Sequence, residues 1–250
     1  MTPEEPPYRR IAADLRQAVE RGEYRPGQQL PSGSALMKRY GVARQTVQNA
    51  FDALRAEGLV TTQPGAGVFV RTKPAVTRLA RNRLSRAART ANQATFLGDA
   101  AASGFTASVE VEIRIETADE HLADALHIEA GDEILVRRRT MRADGEPVQL
   151  ATSRLPRRLT AGTAIEQENT GPGGIYSRLE EAGVRLDHFV ERVLTRPATV
   201  DEAALLNVAA GAPVLVVRRV AIDESGTPVE VNDMTMVGDR YELVYELAAD

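Results

Sequence analysis

The sequence predicts an α+β protein with two domains, and three observations predict that class. Apolar residues at helical spacing fill residues 8–54, and two short β-prone runs joined by a glycine-containing turn follow them. The second half of the chain carries two similar strand-and-hairpin units about 80 residues apart. We predict a front domain over residues 1–72, an arginine-rich linker over 73–94 and a rear domain over 95–250.

Composition excludes several classes of protein. The chain has no cysteine, which excludes disulfides, thiolate metal sites and cysteine nucleophiles. The histidines, His121, His127 and His188, have no metal-ligand spacing, and no acid–base pair has supporting context, so we expect no metal, no cofactor and no catalytic residue. No run approaches the ~20 apolar residues of a membrane span. The first five residues lack a signal-peptide pattern, so we expect a cytoplasmic protein without membrane contact.

Charge is divided unevenly along the chain. Residues 1–75 carry 11 Lys/Arg and 7 Asp/Glu, residues 76–98 carry 5 Arg and no acid, and residues 99–250 carry 15 and 28. A basic front followed by an acidic rear indicates that the front domain meets a polyanion and the rear domain does not. The rear domain also has no lysine, which excludes Schiff-base chemistry there.

Three helices are predicted in the front domain. Tyr8, Ile11, Leu15 and Val19 repeat at helical spacing and predict a first helix over about residues 8–21. Ser32 is the predicted N-cap of a short second helix, and Gly41 permits a tight turn into a third. Helix, turn and helix at this spacing form the helix-turn-helix pattern.

The third helix has two different faces. Its apolar face carries Val47, Ala50, Phe51 and Leu54, and its polar face carries Arg44, Gln45, Gln48 and Asn49. Arginine, glutamine and asparagine pair bidentately with guanine or adenine edges in the major groove, so this face is a candidate DNA-recognition surface. An ordinary solvated face is the alternative.

A β-hairpin is predicted directly after the third helix. Residues 59–62 and 67–70 are β-prone and are joined by a turn that contains Gly65, and Gly67 opens the second run. A hairpin after a recognition helix is a wing, and its glycines allow the backbone to approach phosphate or the minor groove closely. Ordinary turn chemistry explains two glycines equally well.

These features together resemble the N-terminal winged helix of GntR-family transcriptional regulators. The resemblance rests on Leu30-Pro31-Ser32, Gly41-Val42-Ala43-Arg44-Gln45-Thr46-Val47, Glu57-Gly58-Leu59 and Gly65-Ala66-Gly67-Val68-Phe69-Val70. It implies DNA contacts from Ser32, Ser34, Arg44, Gln45, Thr46, Gln48, Asn49, Gly65 and Gly67. Gly33-Ser34 stand where the family usually has Glu-Arg, and Gln48 stands where arginine is common, which predicts an altered base preference or weaker phosphate anchoring.

The linker is rich in arginine and poor in large apolar residues. It contains Arg78, Arg81, Arg83, Arg86 and Arg89 among small and polar residues. Such a segment cannot bury much surface, so we expect a linker that runs over DNA, becomes ordered in a dimer or stays solvated.

The rear domain contains an internal repeat. Each copy is predicted to contain a short helix, a glycine turn, a strand and a hairpin, and the hairpins are Asp144-Gly145-Glu146-Pro147-Val148 and Ser225-Gly226-Thr227-Pro228-Val229. Two such units predict one antiparallel sheet with helices on a face and a cleft for a small ligand. Between the copies, residues 174–183 predict a helix with Ile175, Leu179 and Ala182 facing inward.

This half resembles the UTRA domain of the HutC subfamily of GntR regulators, which is similar in fold to chorismate lyase. The hairpins and the glycine-x-tyrosine helix start carry the resemblance over about residues 95–247. It implies effector contacts from Arg139, Arg154, Gly174, Tyr176, Glu230 and Tyr241. Ala151, Arg154, Met141 and Val237 depart from the pattern of the subfamily. One guanidinium then remains where two are usual, which argues against a phosphorylated sugar as effector.

The resemblance implies a dimeric, cytoplasmic repressor that binds a near-palindromic operator in double-stranded DNA and responds to a small-molecule effector. Two alternatives stay open. The first is an effector-free repressor whose eroded pocket serves dimerisation. The second is an enzyme on the chorismate lyase-like fold with an appended DNA-binding module, since a fold does not by itself fix a function.

Overall fold

The computed structural model describes residues 6–63, 65–71, 76–79, 84 and 96–245. The chain divides into two compact units, Met1–Lys73 and Pro74–Asp250. The two units are described separately below.

The first unit contains three helices, as the sequence predicts. They are α1 (Pro7–Glu20), α2 (Gly33–Tyr40) and α3 (Arg44–Ala56). The Ser32 side chain accepts a hydrogen bond from the Ala35 backbone N–H, which confirms Ser32 as an N-cap. Gly41 ends α2 in the left-handed conformation, with φ 65°.

The predicted hairpin is also present. Strands β1 (Val60–Gln63) and β2 (Gly67–Val70) pair antiparallel. The apolar stripe of α3 packs with α1, α2 and the hairpin into one core, whose buried members include Ile11, Leu15, Leu36, Val47, Ala50, Phe51, Leu54, Val60 and Val70. The hydrophobic face of the third helix is therefore confirmed as a packing face.

The second unit is built on a six-stranded antiparallel sheet. Its strands are β4 (Ala107–Thr117), β5 (Glu133–Ala143), β6 (Glu146–Pro156), β7 (Leu186–Pro197), β8 (Pro213–Asp223) and β9 (Pro228–Val237). Their order across the sheet is β4-β5-β6-β9-β8-β7. The two repeat copies therefore meet at β6 and β9 in the middle of the sheet. Strand β4 of the first copy and strand β7 of the second form its two edges.

Short helices connect the strands. They are α4 (Phe96–Ser103), α5 (Glu120–Leu126), α6 (Arg157–Thr160), a 3-10 turn (Ala164–Glu166), α7 (Gly174–Glu181) and α8 (Val200–Leu205). Helices α5 and α8 occupy equivalent places in the two copies. Each begins after a side-chain N-cap, Asp119 in the first copy and Thr199 in the second.

Each face of the sheet is covered by different elements. Helices α5 and α8 pack on one face, where Val136 and Val214 are buried. Helix α7 packs on the other face against Leu135 and Leu155. We call this second face the α7 face, and it carries the candidate ligand site.

Part of the predicted linker belongs to the second unit. Strand β3 (Val76–Leu79) pairs in parallel with β10 (Tyr241–Val244), and Val76 is 0% exposed. The expectation that this segment buries little is therefore wrong for β3. The linker arginines Arg81, Arg83, Arg86 and Arg89 lie outside the described residues.

Two other details differ from the sequence prediction. The outer strands β4 and β7 were not predicted, although Val109, Val111, Ile113 and Ile115 alternate with polar residues along β4. Ala182 was predicted to face inward with Ile175 and Leu179 but is exposed, because α7 ends at Glu181 and Ala182 is its C-cap.

Candidate nucleic-acid interface and ligand site

Helix α3 presents its polar face to solvent. Arg44, Gln45, Gln48 and Asn49 are exposed, and Thr46 is half-buried. Gln45 Nε2 donates to Asn49 Oδ1 at 2.9 Å, and Gln48 Nε2 donates to Asp52 Oδ1 at 3.2 Å. These side chains are one helical turn apart and hold one another along the exposed face.

A salt bridge ties the end of α3 to α1. Arg16 Nη2 lies 2.5 Å from Glu57 Oε1, and Arg16 Nε donates to Glu57 Oε2 at 2.8 Å. This pairing lowers the pKa of Glu57 and raises the pKa of Arg16. The bidentate geometry adds a directional contact between α1 and the end of α3.

The remaining predicted DNA contacts lie at the start of α2 and in the wing. Ser32 and Ser34 are exposed, and their Oγ atoms are 2.9 Å apart. Gly65 is exposed with φ 76°, and Gly67 has φ 123°. Gln29 Nε2 donates to the Ala66 carbonyl at 2.6 Å and so holds the wing turn against the body of the unit. All nine predicted residues fall at the N-cap of α2, on α2 or α3, or in the wing.

In the second unit, two arginines occupy equivalent positions in the two repeat copies. Arg139 lies on β5 and Arg219 lies on β8, 80 residues later. The register pairs Arg139 with Ala151 on β6 and Arg219 with Asn232 on β9, which places both arginines on the α7 face. Arg219 is 3% exposed and contributes to lowering the pKa of Arg139, although burial is the main cause.

Tyr176 and Glu230 meet on the same face. The Tyr176 hydroxyl donates to Glu230 Oε2, and the two residues are 3% and 0% exposed. Burial and then the Glu230 charge raise the pKa of Tyr176. Glu230 Oε1 has no hydrogen-bond partner among the described residues. Burying a carboxylate oxygen without a hydrogen bond costs free energy. A ligand that donates a hydrogen bond to this oxygen would remove that cost.

Arg139 completes the group. It donates to Ser153 Oγ and lies 3.5 Å from Asn232 Oδ1, and part of its side chain remains accessible to solvent. Its Nε is buried and has no hydrogen-bond partner among the described residues. Neither Ser153 nor Asn232 is charged, so Arg139 has bonding capacity left for an anion.

Two further buried arginines surround this group. Arg137 donates to the carbonyls of Ile165, Gln167 and Glu168, and its pKa falls to about 10 through burial and the nearby Arg139. Arg78 on β3 and Arg219 on β8 both donate to Glu191 Oε1.

We call Arg78, Arg137, Arg139, Arg219, Glu191 and Glu230 the charge cluster. Within it, four guanidinium groups face two carboxylates. A largely buried region with an excess of positive charge is suited to an anionic ligand, because unbalanced buried charge is costly.

The structure gathers some predicted effector residues and separates others. Arg139, Tyr176 and Glu230 lie together, and Gly174 is the first residue of the helix that carries Tyr176. Arg154 does not belong with them. It alternates with Ser153 on β6, lies on the opposite face of the sheet and pairs with Asp233 at 2.7 Å. Tyr241 is buried on β10 and donates to Gln149 Oε1 at 2.9 Å.

The sequence predicted one guanidinium group at the effector pocket, but the structure places a second, that of Arg219 on β8, on the same face of the sheet as Arg139. The number of guanidinium groups on this face therefore does not disfavour a phosphate group. The repeat itself carried the signal, because Arg139 and Arg219 occupy the same place in the two copies. Ser153, Asn232, Glu191 and Arg78 had no such signal, since only the strand register brings them to this face.

Two negative findings concern the described part of the chain alone. No helix there is long and apolar enough to cross a membrane. No group of three or more His, Cys, Asp or Glu side chains in residues 6–63, 65–71, 76–79, 84 and 96–245 could hold a metal ion.

Comparison with known proteins agrees with this architecture. Residues 7–70 match the model of bacterial regulatory proteins of the gntR family, and residues 102–242 match the UTRA domain. An uncharacterized HTH-type transcriptional regulator of Streptomyces coelicolor is 30% identical over 98% of this chain and 94% of its own length. The HTH-type transcriptional repressor NagR of Bacillus subtilis is 28% identical over 96% of this chain and 94% of its own length.

Solved structures give the same result. The crystal structure of a GntR-family transcriptional regulator is 28% identical, with a TM-score of 0.65 over 98% of this chain and 99% of its own. PhnF from Mycobacterium smegmatis is 24% identical, with a TM-score of 0.62 over 96% of this chain and 100% of its own, and supports the fold. The chain belongs to the GntR family of transcriptional regulators and combines a GntR helix-turn-helix domain with a UTRA domain.

Proposed function

We propose that this regulator is a sequence-specific, homodimeric repressor whose α3 enters the major groove of operator DNA. The observation that carries the proposal is the division of α3 into two faces. Val47, Ala50, Phe51 and Leu54 are at most 5% exposed, whereas Arg44, Gln45, Gln48 and Asn49 are exposed. The buried face fixes the helix, so the exposed side chains can be presented to base edges without reorganisation.

The test is DNA binding by single-residue variants. Arg44→Ala and Gln48→Ala are each expected to cost about 1–3 kcal/mol against the preferred operator. Arg21→Ala is the matched control, because Arg21 is an exposed arginine of the same unit that lies at the end of α1. Fluorescence anisotropy on the DNA upstream of the chain's own gene measures the effect. Unchanged affinity for both α3 variants would contradict the assignment of the recognition helix.

We further propose that a small anion binds over the α7 face and changes operator affinity. The excess of arginine in the charge cluster, the open bonding capacity of Arg139 and the unpaired Glu230 oxygen support this proposal. A ligand that carries both an anionic group and a hydroxyl fits these two side chains. Its anionic group would bind Arg139, and its hydroxyl would donate a hydrogen bond to Glu230. Arg154 is left out of the proposed site.

An effector-free repressor is the second candidate. Tyr176 bonds to Glu230 and Arg139 bonds to Ser153, so the site is partly satisfied by its own side chains. The two candidates differ in a thermal-shift screen of small metabolites against the full chain. A stabilising anion whose effect disappears in Arg139→Gln supports the responsive repressor. No stabilisation by any anion supports the effector-free one.

A homodimer is proposed because the sheet has exposed aliphatic side chains at its edges. Val190, Val193 and Leu194 on the outer strand β7 are 41%, 45% and 52% exposed, and Leu205 on the following helix is 58% exposed. A closed dimer places the same patch of both copies face to face. We propose this β7 edge as the dimer contact, and we place such a regulator in the cytoplasm with its DNA.

A further inference from the structure

Strand β3 carries a buried arginine into the charge cluster. Arg78 is 2% exposed, donates to Glu191 and lies 3.8 Å from the Met234 sulfur. Strand β3 begins at Val76, the third residue after the last residue of the first unit, Lys73. The part of the second unit that follows the DNA-binding unit most closely in sequence is therefore bonded into the proposed ligand site.

Glu191 is the shared partner in this arrangement. Its Oε1 accepts hydrogen bonds from Arg78 and also from Arg219 Nε and Nη2, at 2.8 and 2.6 Å. Two guanidinium groups at one oxygen repel each other while both are attracted to it. Anything that draws Arg219 away from Glu191 therefore strengthens the bond between Glu191 and Arg78.

Arg219 is also the arginine that faces the proposed ligand. Its charge acts on both Tyr176 and Arg139. An anion bound beside Arg139 attracts Arg219 as well, because both guanidinium groups approach the same region from the two repeat copies. Such an anion competes with Glu191 for Arg219.

We propose that Arg78 is a positioning residue that passes the occupancy of the ligand site to the segment following the DNA-binding unit. An anion attracts Arg219 and weakens its bond to Glu191, the bond between Glu191 and Arg78 becomes stronger, and β3 is held more firmly against the sheet. The inference rests on the proposed function, because it takes the α7 face as the ligand site. Coupling of this kind is reciprocal, so Arg78 also influences the affinity of the anion.

Charge substitutions within the site can test this without an identified ligand. Ser153 is 0% exposed and contacts Arg139, so Ser153→Asp introduces a carboxylate where an anion is proposed to bind. Ser153→Asn is its neutral control of the same size. Glu230→Gln changes the charge in the opposite direction, because it removes a carboxylate from the charge cluster. Arg219 should then bond more strongly to Glu191.

The readout is backbone hydrogen exchange of β3 in the full chain, relative to exchange in the central strand β6. Ser153→Asp should slow β3 exchange roughly tenfold relative to Ser153→Asn, and Glu230→Gln should accelerate it to a similar extent, as is typical of coupling between sites. In an Arg78→Met background both differences should disappear. Methionine suits this position because the Arg78 side chain already lies against the sulfurs of Met234 and Met236.

Two results would overturn the proposal. One is an unchanged β3 exchange rate in both charge variants. The other is a change of equal size with and without Arg78, which would indicate a general loss of packing. If Ser153→Asp does not fold, β3 exchange is compared between Glu230→Gln and the double variant Glu230→Gln/Arg78→Met. The same two results would overturn the proposal. These measurements use no DNA, so a protein that binds its operator specifically and fails them refutes the role of Arg78 alone.

Discussion

Tyr176 on α7 donates its hydroxyl hydrogen to Glu230 on β9, and this bond joins a helix to the sheet at the centre of the proposed ligand site. Glu230 is 0% exposed and its second carboxylate oxygen has no hydrogen-bond partner in the described part of the chain. Among the described residues, the Tyr176 hydroxyl is therefore the one hydrogen-bond donor to that carboxylate, and the bond ties α7 to β9.

Loss of this hydroxyl should destabilise the second unit. Tyr176→Phe leaves the Glu230 carboxylate buried without a hydrogen-bond donor, which typically costs about 1–3 kcal/mol. Urea unfolding followed by circular dichroism measures the change. The double variant Tyr176→Phe/Glu230→Gln should lose less than the sum of the two single variants, because the neutral amide is cheaper to leave unpaired. Strict additivity would show that the two side chains do not depend on each other.

The two wing glycines should respond differently to alanine. Both have positive φ, 76° at Gly65 and 123° at Gly67, so each Gly→Ala change strains the backbone by at least about 1 kcal/mol. A Cβ at Gly67 would also lie 2.6 Å from Gln29 Nε2, whereas nothing lies within 4 Å of a Cβ at Gly65. Gly67→Ala must therefore displace the amide that bonds to Ala66, and it should destabilise the first unit more than Gly65→Ala does.

Thermal unfolding of the two glycine variants checks this order. Gln29→Ala provides the decisive background, because it removes the clashing amide. In that background, the excess cost of Gly67→Ala over Gly65→Ala should be smaller than in the wild-type chain. An undiminished difference between them would exclude the contact with Gln29 as its cause.

Acid should weaken the packing of α8 through Glu202. Two hydrogen bonds from Arg196, at 2.6 and 2.7 Å, lower the pKa of Glu202 to about 2 from an ordinary 4.5, assisted by Thr199 and Thr235. A lowered folded-state pKa gives stability that is fully present above about 4.5 and is lost as the pH falls towards 2. We expect this carboxylate to contribute about 2 kcal/mol after allowance for its partial exposure.

The comparison variant is Glu202→Gln, which cannot titrate. Between pH 5 and pH 2, wild-type protein should lose more stability in urea than Glu202→Gln does. At neutral pH the variant should be the less stable of the two, because it loses the charged pair. Parallel pH profiles for the two proteins would contradict the role of Glu202.

The β7 edge should control assembly. Leu194→Arg places a charge on the exposed aliphatic patch of β7, so two copies paired there would bring like charges together. Sedimentation velocity should show dimers of wild-type protein and monomers of the variant at the same concentration. Ile115→Arg is the control on the opposite outer strand β4, where Ile115 is 45% exposed, and it should leave the dimer intact. If the Leu194→Arg variant remains dimeric, the dimer contact does not lie at the β7 edge.

Much of the fold was predictable because local chemistry determines it. Helical spacing, the Ser32 cap and Gly41 located the front helices, and the 80-residue repeat predicted the antiparallel sheet. The proposed ligand site was predicted less completely, because its members come from strands that are distant in sequence. Arg78 was assigned to a linker and Arg154 to the pocket, and only the pairing of β3 with β10 and the alternation of β6 correct those assignments.

Binding to the DNA upstream of the chain's own gene, measured against a shuffled fragment across salt concentrations, tests the central claim most directly. A specific regulator should prefer the natural fragment by about 10³-fold or more, and its affinity should fall steeply as salt increases because basic groups displace counterions. Arg44→Ala should reduce the preference, and the Arg21→Ala control should retain it. Equal affinity for both fragments, with no effect of Arg44→Ala, would contradict operator recognition by α3.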